Sequence, residues 1–286
     1  MKLSEALLSI SGNKSFSANK NHILILAGGA GSGKSFYFSN VIGFSGKTFN
    51  VDDLKSRLEK LGKESKSKES EQFRKDFKQK TGIDIRQFDM GNPKHVSAMH
   101  NYVKKKDYDF NSQISFLKSV EKLEEKPNVI FDVTLKNTEK FEDILAFAEL
   151  GGYDKKNIHI CWILNKLEVA WQQNLKRKRV VKREVFLDTH SGASETFERI
   201  ISNFSQYRSR FDGDMFICFN QKGIDISFTD EHGKPVELDK KNGNVTVSNY
   251  DAFQVKKQGK PPISTKDFEK AILDKVKDYV PEPDVW

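Results

Sequence analysis

The sequence predicts an α/β fold in which a largely parallel sheet is flanked by helices, with a small β-hairpin and a helix added at the C-terminal end. Three observations lead there. Short apolar runs alternate with helical patterns along residues 20–220, the order expected of a parallel sheet covered by helices. The first run leads into a glycine-rich loop that opens a helix. Beyond residue 220 the texture changes to short alternating runs punctuated by Gly and Asn, which is hairpin chemistry.

Taken in order, residues 1–20 read as a short amphipathic helix (Leu3, Ala6, Leu7, Ile10) and a polar connection. Ile23-Leu24-Ile25-Leu26 is a strand apolar on both faces, the mark of a buried parallel strand. The loop follows, and residues 35–41 begin a helix with Phe36 and Phe38 as its candidate buried side. Lys47-Thr48-Phe49-Asn50-Val51 forms the second strand, ending at Asp52-Asp53, with a helix starting near Leu54. Over residues 55–80 Lys, Ser and Glu dominate and basic residues outnumber acidic ones about two to one. That predicts a solvated helical insertion, spanning residues 55–92, with a basic arm for nucleic acid as the alternative.

Helices are expected at 95–105 and at 111–125, the latter from Ile114, Leu117, Val120 and Leu123. Pro127 stops that helix and opens the strand Val129-Ile130-Phe131, which runs into Asp132-Val133-Thr134. A helix at 138–150 halts at Gly151-Gly152, and a strand at 158–164, a basic helix at 167–179, a helix at 195–207 and a strand at 215–219 follow. Lys241-Asn242-Gly243-Asn244 supplies a hairpin turn, and Pro261-Pro262 sets off a last helix at 265–280. The chain thus divides into an N-terminal helix and linker (1–20), a main domain (21–220) with a lid at 166–192, and a C-terminal extension (221–286).

With 48 Lys and Arg against 40 Asp and Glu, the net charge of +8 favours phosphate-bearing partners, nucleotides and nucleic acids alike. The two cysteines, Cys161 and Cys218, sit in apolar strands without metal-ligand spacing. No apolar stretch is long enough to span a bilayer or serve as a signal peptide, so the expected location is cytoplasmic.

Gly28-Gly29-Ala30-Gly31-Ser32-Gly33-Lys34-Ser35 satisfies the phosphate-loop pattern between a strand and a helix. Its glycines let main-chain N–H groups wrap an anion, and the helix N-terminus adds partial positive charge. Lys34 is placed to reach the β and γ phosphates, and Ser35 to ligate Mg²⁺. These residues predict a site for Mg²⁺ and ATP. Asn165-Lys166-Leu167-Glu168 comes near a guanine-specificity pattern but has Glu in the Asp place.

Phosphoryl transfer to an alcohol uses a carboxylate to position the attacking hydroxyl and cations to neutralise the moving group. Asp52 is the candidate base and Asp53 a substrate contact, with a helix N-cap as the competing role for this pair. Asp132, at the end of its strand, is the candidate for Mg²⁺ and substrate, and Thr134 for substrate. Lys176-Arg177-Lys178-Arg179-Val180-Val181-Lys182-Arg183 is the densest cationic stretch, read as a lid whose arginines close over the phosphates. Arg177 and Arg179 are its first candidates, with Arg183 and His190 nearer the substrate.

Together these motifs resemble the zeta-toxin-type P-loop kinases over residues 20–220. The resemblance rests on the phosphate loop, on Asp52-Asp53-Leu54-Lys55, similar to the family's Asp-x-Phe-Lys/Arg, and on Ala170-x-x-x-Asn174-x-x-Arg177 followed by Arg179 and His190. It implies that Asp52 is the base and that Arg177 and Arg179 contact ATP. The His-Pro pair of the family's UDP-N-acetylglucosamine kinases is absent after the Asp motif, which leaves the acceptor open. The leading expectation is transfer of the γ-phosphate of ATP to a hydroxyl of a nucleotide or sugar-nucleotide-like molecule. A kinase acting on DNA or RNA, and an ATP-binding assembly protein with weak ATPase activity, are the alternatives.

Overall fold

The computed structural model describes residues 20–37, 44–177, 179–219, 228–229, 235–236, 238–241, 244–247 and 252–264. The expected helices at 1–20 and 265–280 and the residue Phe38 lie outside them, and of the Phe36 side chain nothing is described.

Five parallel strands form the sheet: β1 (Ile23–Ala27), β2 (Lys47–Phe49), β3 (Val129–Asp132), β4 (Ile158–Leu164) and β5 (Met215–Phe219). Their spatial order is β2-β3-β1-β4-β5, and β10 (Ala252–Lys256) joins the far edge antiparallel to β5. Every residue of β1, β4 and β5 is buried, which accounts for their apolar sequences, interrupted among these three strands only by His159 in β4. One face packs Ile23, Ile25, Phe131, Ile160 and Trp162 against Phe141, Ile144 and Phe147 of one helix and Phe197 and Ile200 of another.

The helices are α1 (Lys34–Tyr37), α2 (Val51–Glu64), α3 (Lys68–Thr81), α4 (Pro93–Lys105), α5 (Tyr108–Val120), α6 (Thr138–Leu150), α7 (Leu167–Leu175), α8 (Arg183–Ser202) and α9 (Phe204–Tyr207). Past β5 come two small antiparallel pairs, β6 (Phe228–Thr229) with β7 (Pro235–Val236) and β8 (Leu238–Lys241) with β9 (Asn244–Val247). The second pair falls where the hairpin is expected. β10 was not expected: its alternation is blurred by Gln254 and Lys256, both held by acidic side chains.

Four boundaries differ from expectation. The second strand stops at Phe49 and α2 begins at Val51, because Asn50 takes the N-cap and accepts a hydrogen bond from the Asp52 N–H at 2.7 Å. Asp52 and Asp53 therefore occupy the first helical turn and do not cap it. The helix expected at 167–179 ends at Leu175, leaving Arg177 and Arg179 in the following connection. The helix expected at 195–207 is the 20-residue α8, which takes in Thr189, His190 and Gly192. The helix expected at 111–125 starts at Tyr108 and ends at Val120, so Leu123 falls outside it.

The lysine-rich insertion differs most. Its few apolar residues converge on a second core of Leu58, Phe73, Phe77, Ile85, Phe88, Met99, Tyr102 and Val103. The aromatic rings meet edge-on, Phe77 and Tyr102 with centroids 5.0 Å apart. Gly82, at φ 74°, ends α3 and turns the chain back towards α4. This helical subdomain stands after β2 and carries α2 with Asp52 on it.

Candidate functional site

The site lies where the parallel strands end. The chain leaves β1 at Gly28, whose φ of 144° brings its Cα against β4, and a Cβ there would lie 2.4 Å from the Ile163 carbonyl. Gly31, at φ 75°, runs equally close to α7, where a Cβ would lie 2.1 Å from the Ala170 carbonyl. Only glycine allows both the backbone angles and the approach. The Gly28 N–H donates to the Thr134 carbonyl at 3.3 Å, so Thr134 contributes its main chain to the loop's entry.

From the other side α8 braces the loop. The Ala30 N–H donates to Thr189 Oγ1 at 3.2 Å, and His190 Nε2 lies 2.8 Å from the Ala30 carbonyl. A Cβ on Gly29 would run into the His190 ring at 2.2 Å. His190 is 2% exposed, and burial holds its pKa down at about 4. Expected as a substrate contact, it is instead walled in beneath the loop as a neutral hydrogen-bond partner. Thr189 was missed, since a Ser/Thr inside a helix has no motif of its own.

Lys34 opens α1 and folds back over the loop, donating to the Gly28 carbonyl at 2.7 Å and lying 4.0 Å from Asp132 Oδ1. Burial lowers its pKa, opposed by Asp132. Ser35 beside it is exposed. Asp132 ends β3; burial raises its pKa against the pull of Lys34, and Asp52 and Asp53 add to the rise. Its other oxygen, Oδ2, accepts from Asn50 Nδ2 at 2.7 Å.

Asp52 is half-buried and holds two cations, ion-pairing with Arg179 and lying 3.3 Å from Lys55 Nζ. Burial pushes the Asp52 carboxyl up, but Arg179 and Lys55 outweigh it and hold its pKa below the usual range. Lys55 is 4% exposed. His100 on α4 feels the same cluster: burial lowers its pKa, followed by the field of Lys55. Lys55 reaches Asp52 from three residues on along α2, whereas only the packing of α2 against α4 brings His100 near the pair. Asp53, one residue on, is exposed.

The connection between α7 and α8 carries the cationic stretch. Asn174, fully buried, holds it at Val181 through both ends of its amide: Nδ2 donates to the Val181 carbonyl at 3.1 Å and Oδ1 accepts from the Val181 N–H at 3.2 Å. Arg179 reaches across to Asp52, while Arg177 is exposed and acts electrostatically on both Lys34 and Asp132. Arg183, the first residue of α8, is exposed. The loop, Lys34, Asp132, Asp52 and Arg179 are thus gathered at one place.

The donor set suits a nucleotide with Mg²⁺. Mg²⁺ takes one or two protein oxygens and completes its shell with phosphate and water. Asp132 and the Ser35 hydroxyl offer that set beside a glycine cradle. Among the described residues no group of three or more His, Cys, Asp or Glu makes an all-protein cage.

Comparisons with known proteins bear on this arrangement. The zeta toxin family model matches residues 93–233, a segment that contains Asp132, Arg177, Arg179 and α8. No curated protein matches the chain. Among solved structures, one from the PezAT chromosomal toxin–antitoxin system of Streptococcus pneumoniae is 15% identical, with 76% of this chain and 74% of that one covered and a TM-score of 0.42. The AvrRxo1-ORF1:-ORF2 structure with ATP is 16% identical, with 86% and 69% covered and a TM-score of 0.41. Over residues 93–233 the chain is thus similar to the zeta toxin family.

Proposed function

We propose that the chain transfers the γ-phosphate of ATP to a hydroxyl group of a nucleotide or sugar-nucleotide-like acceptor, with Asp52 receiving the hydroxyl proton. The observation that carries this reading is a continuous polar line, from Lys34 through Asp132 and Asn50 to the helix bearing Asp52, closed by Arg179. Phosphoryl transfer asks little covalent chemistry of a protein and much positioning and charge neutralisation.

In this reading the loop N–H groups of residues 29–34 and the start of α1 hold the phosphates. Lys34 gives up the Gly28 and Gly29 carbonyls, 2.7 and 3.4 Å away, for stronger charge-assisted bonds to phosphate oxygens. Ser35 and Asp132 would hold Mg²⁺, which neutralises charge on the β and γ phosphates. Arg177 approaches from the lid. Arg179 exchanges Asp52 for the transferring group, leaving Asp52 ionised and ready to accept a proton. Asp53, Thr134 and Arg183 stand at the rim as acceptor contacts, and His190 supports the loop from below.

Incubation with γ-labelled ATP and pools of nucleotides, sugar nucleotides, DNA and RNA tests the reading. Label is expected in a small-molecule acceptor, with Lys34→Ala lowering transfer at least a hundredfold, about the effect of losing one preorganised charge contact in such a site. Label in DNA or RNA would move the acceptor to a polymer, in keeping with the net charge of +8. Label released only as free phosphate would overturn the kinase reading.

A further inference from the structure

We propose that Asn50 is a positioning residue that fixes the Mg²⁺-side carboxylate Asp132 relative to the base Asp52. The inference rests on the reading of those two residues given above. It starts from the two ends of one amide. Asn50 Oδ1 accepts from the Asp52 N–H at 2.7 Å, and Nδ2 donates to Asp132 Oδ2 at 2.7 Å. Each end faces a partner of one kind only: an N–H cannot accept and a carboxylate cannot donate. A flipped amide would set oxygen against oxygen and N–H against N–H, so the orientation is determined by chemistry.

A helix N-cap explains only half of this. Ser, Thr or Asp satisfies the cap as well as Asn does, but Ser and Thr are too short to reach Asp132, and Asp would oppose one carboxylate with another. Asn alone caps α2 and donates to Asp132. The tether also selects which oxygen of Asp132 remains available. Oδ2 is engaged by Asn50, while Oδ1 is the oxygen that lies 4.0 Å from Lys34 Nζ. The bond crosses between two parts of the fold, β3 in the central sheet and α2 in the helical subdomain with its own core. Lys55 and Arg179 then hold Asp52 from its other side.

The test separates cap from tether with Asn50→Ser and Asn50→Ala. Calorimetric titration with ATP in Mg²⁺ and in EDTA gives the metal-dependent part of the affinity, and steady-state transfer gives kcat and KM. Thermal melting reports the cap. Asn50→Ser should melt close to the wild type and Asn50→Ala lower. Both should lose at least tenfold in metal-dependent affinity or kcat, the usual effect of removing a partner that orients a metal-side carboxylate. EDTA-condition affinity should be unchanged. If Asn50→Ser matches the wild type in metal-dependent affinity and kcat, Asn50 is only a cap and the proposal falls alone. If the wild type itself shows no Mg²⁺-dependent binding, the kinase reading falls and takes this proposal with it.

Discussion

The two edges of the central sheet hold similar polar residues in opposite conditions. At the strand entrances His22 Nδ1 lies 3.1 Å from His159 Nε2, and His159 Nδ1 lies 3.2 Å from Asp214 Oδ2. Asp214 accepts further bonds from Gln254 Nε2 and the Gln258 N–H, both at 2.8 Å. Lys256, fully buried, donates to Asp212 at 3.0 Å and to the Gly213 carbonyl at 2.9 Å, with its ammonium 4.8 Å from the Phe204 ring centroid. Each group there is matched to fixed protein partners. At the strand exits, Lys34 rests on main-chain carbonyls, Asp52 is 41% exposed and Arg177 is exposed. Buried polar clusters with every bond made from within are stable joints. Those whose charges face outward on exchangeable partners are where a ligand can enter.

The sharpest way to break the contrast is Asp52→Asn. Loss of a positioned general base lowers rates by about 10²–10⁴-fold, so transfer should drop at least a hundredfold while the melting temperature stays within a few degrees. The Asn side chain keeps an oxygen for Lys55 and Arg179, and the 41% exposure of Asp52 lets solvent meet part of the lost charge. Unchanged kcat/KM in this variant would remove Asp52 from catalysis. A large fall in melting temperature with normal transfer would place it among the structural joints.

The opposite edge should answer in the opposite way. Lys256→Met keeps the apolar stem but removes the ammonium and leaves Asp212, 13% exposed, without its cation. Stranding one partner of a buried pair destabilises by about 3 kcal/mol, which denaturant titration would read as a lower midpoint. Transfer per folded molecule should be unaltered. Reduced specific activity at full stability would mean that the two edges are coupled.

How far each edge could be read beforehand follows from the same contrast. The loop at 28–35 was legible because its glycines, lysine and serine are demanded at fixed spacing by one ligand. Strands buried on both faces, such as Ile23–Ala27 and Met215–Phe219, were legible from their unbroken apolar runs. Asn50 was hidden, although an Asn directly before a helix is an N-cap signal, because Asn50-Val51 was read as the end of a strand. The bond to Asp132 joins residues 82 positions apart and leaves no local trace. The second core was hidden by composition: Phe73 and Phe77 are a small minority among lysines, yet one face of α3 gathers them. β10 was masked for a related reason, since its Gln254 and Lys256 look solvent-facing and are held by Asp214 and Asp212.

His190 gives the smallest effect and the finest test, because it is a closed joint at the open edge. Its pKa of about 4 lies below the 6.5 of an unfolded chain, and burial is the main cause. Between those values the unfolded chain takes up a proton that the folded chain refuses. Stability is therefore fully present above about pH 6.5 and declines as the pH falls towards 4, by about 3 kcal/mol at most for this one group. His22, also held near 4, adds to the decline from the other edge. His190→Gln keeps a donor for the Ala30 carbonyl and removes the titration. Denaturant unfolding at pH 7 and pH 4.5 should show a shallower acid loss in this variant than in the wild type, by about 2 kcal/mol. Equal losses in both proteins would mean that the ring takes up its proton without breaking its contact to the phosphate loop.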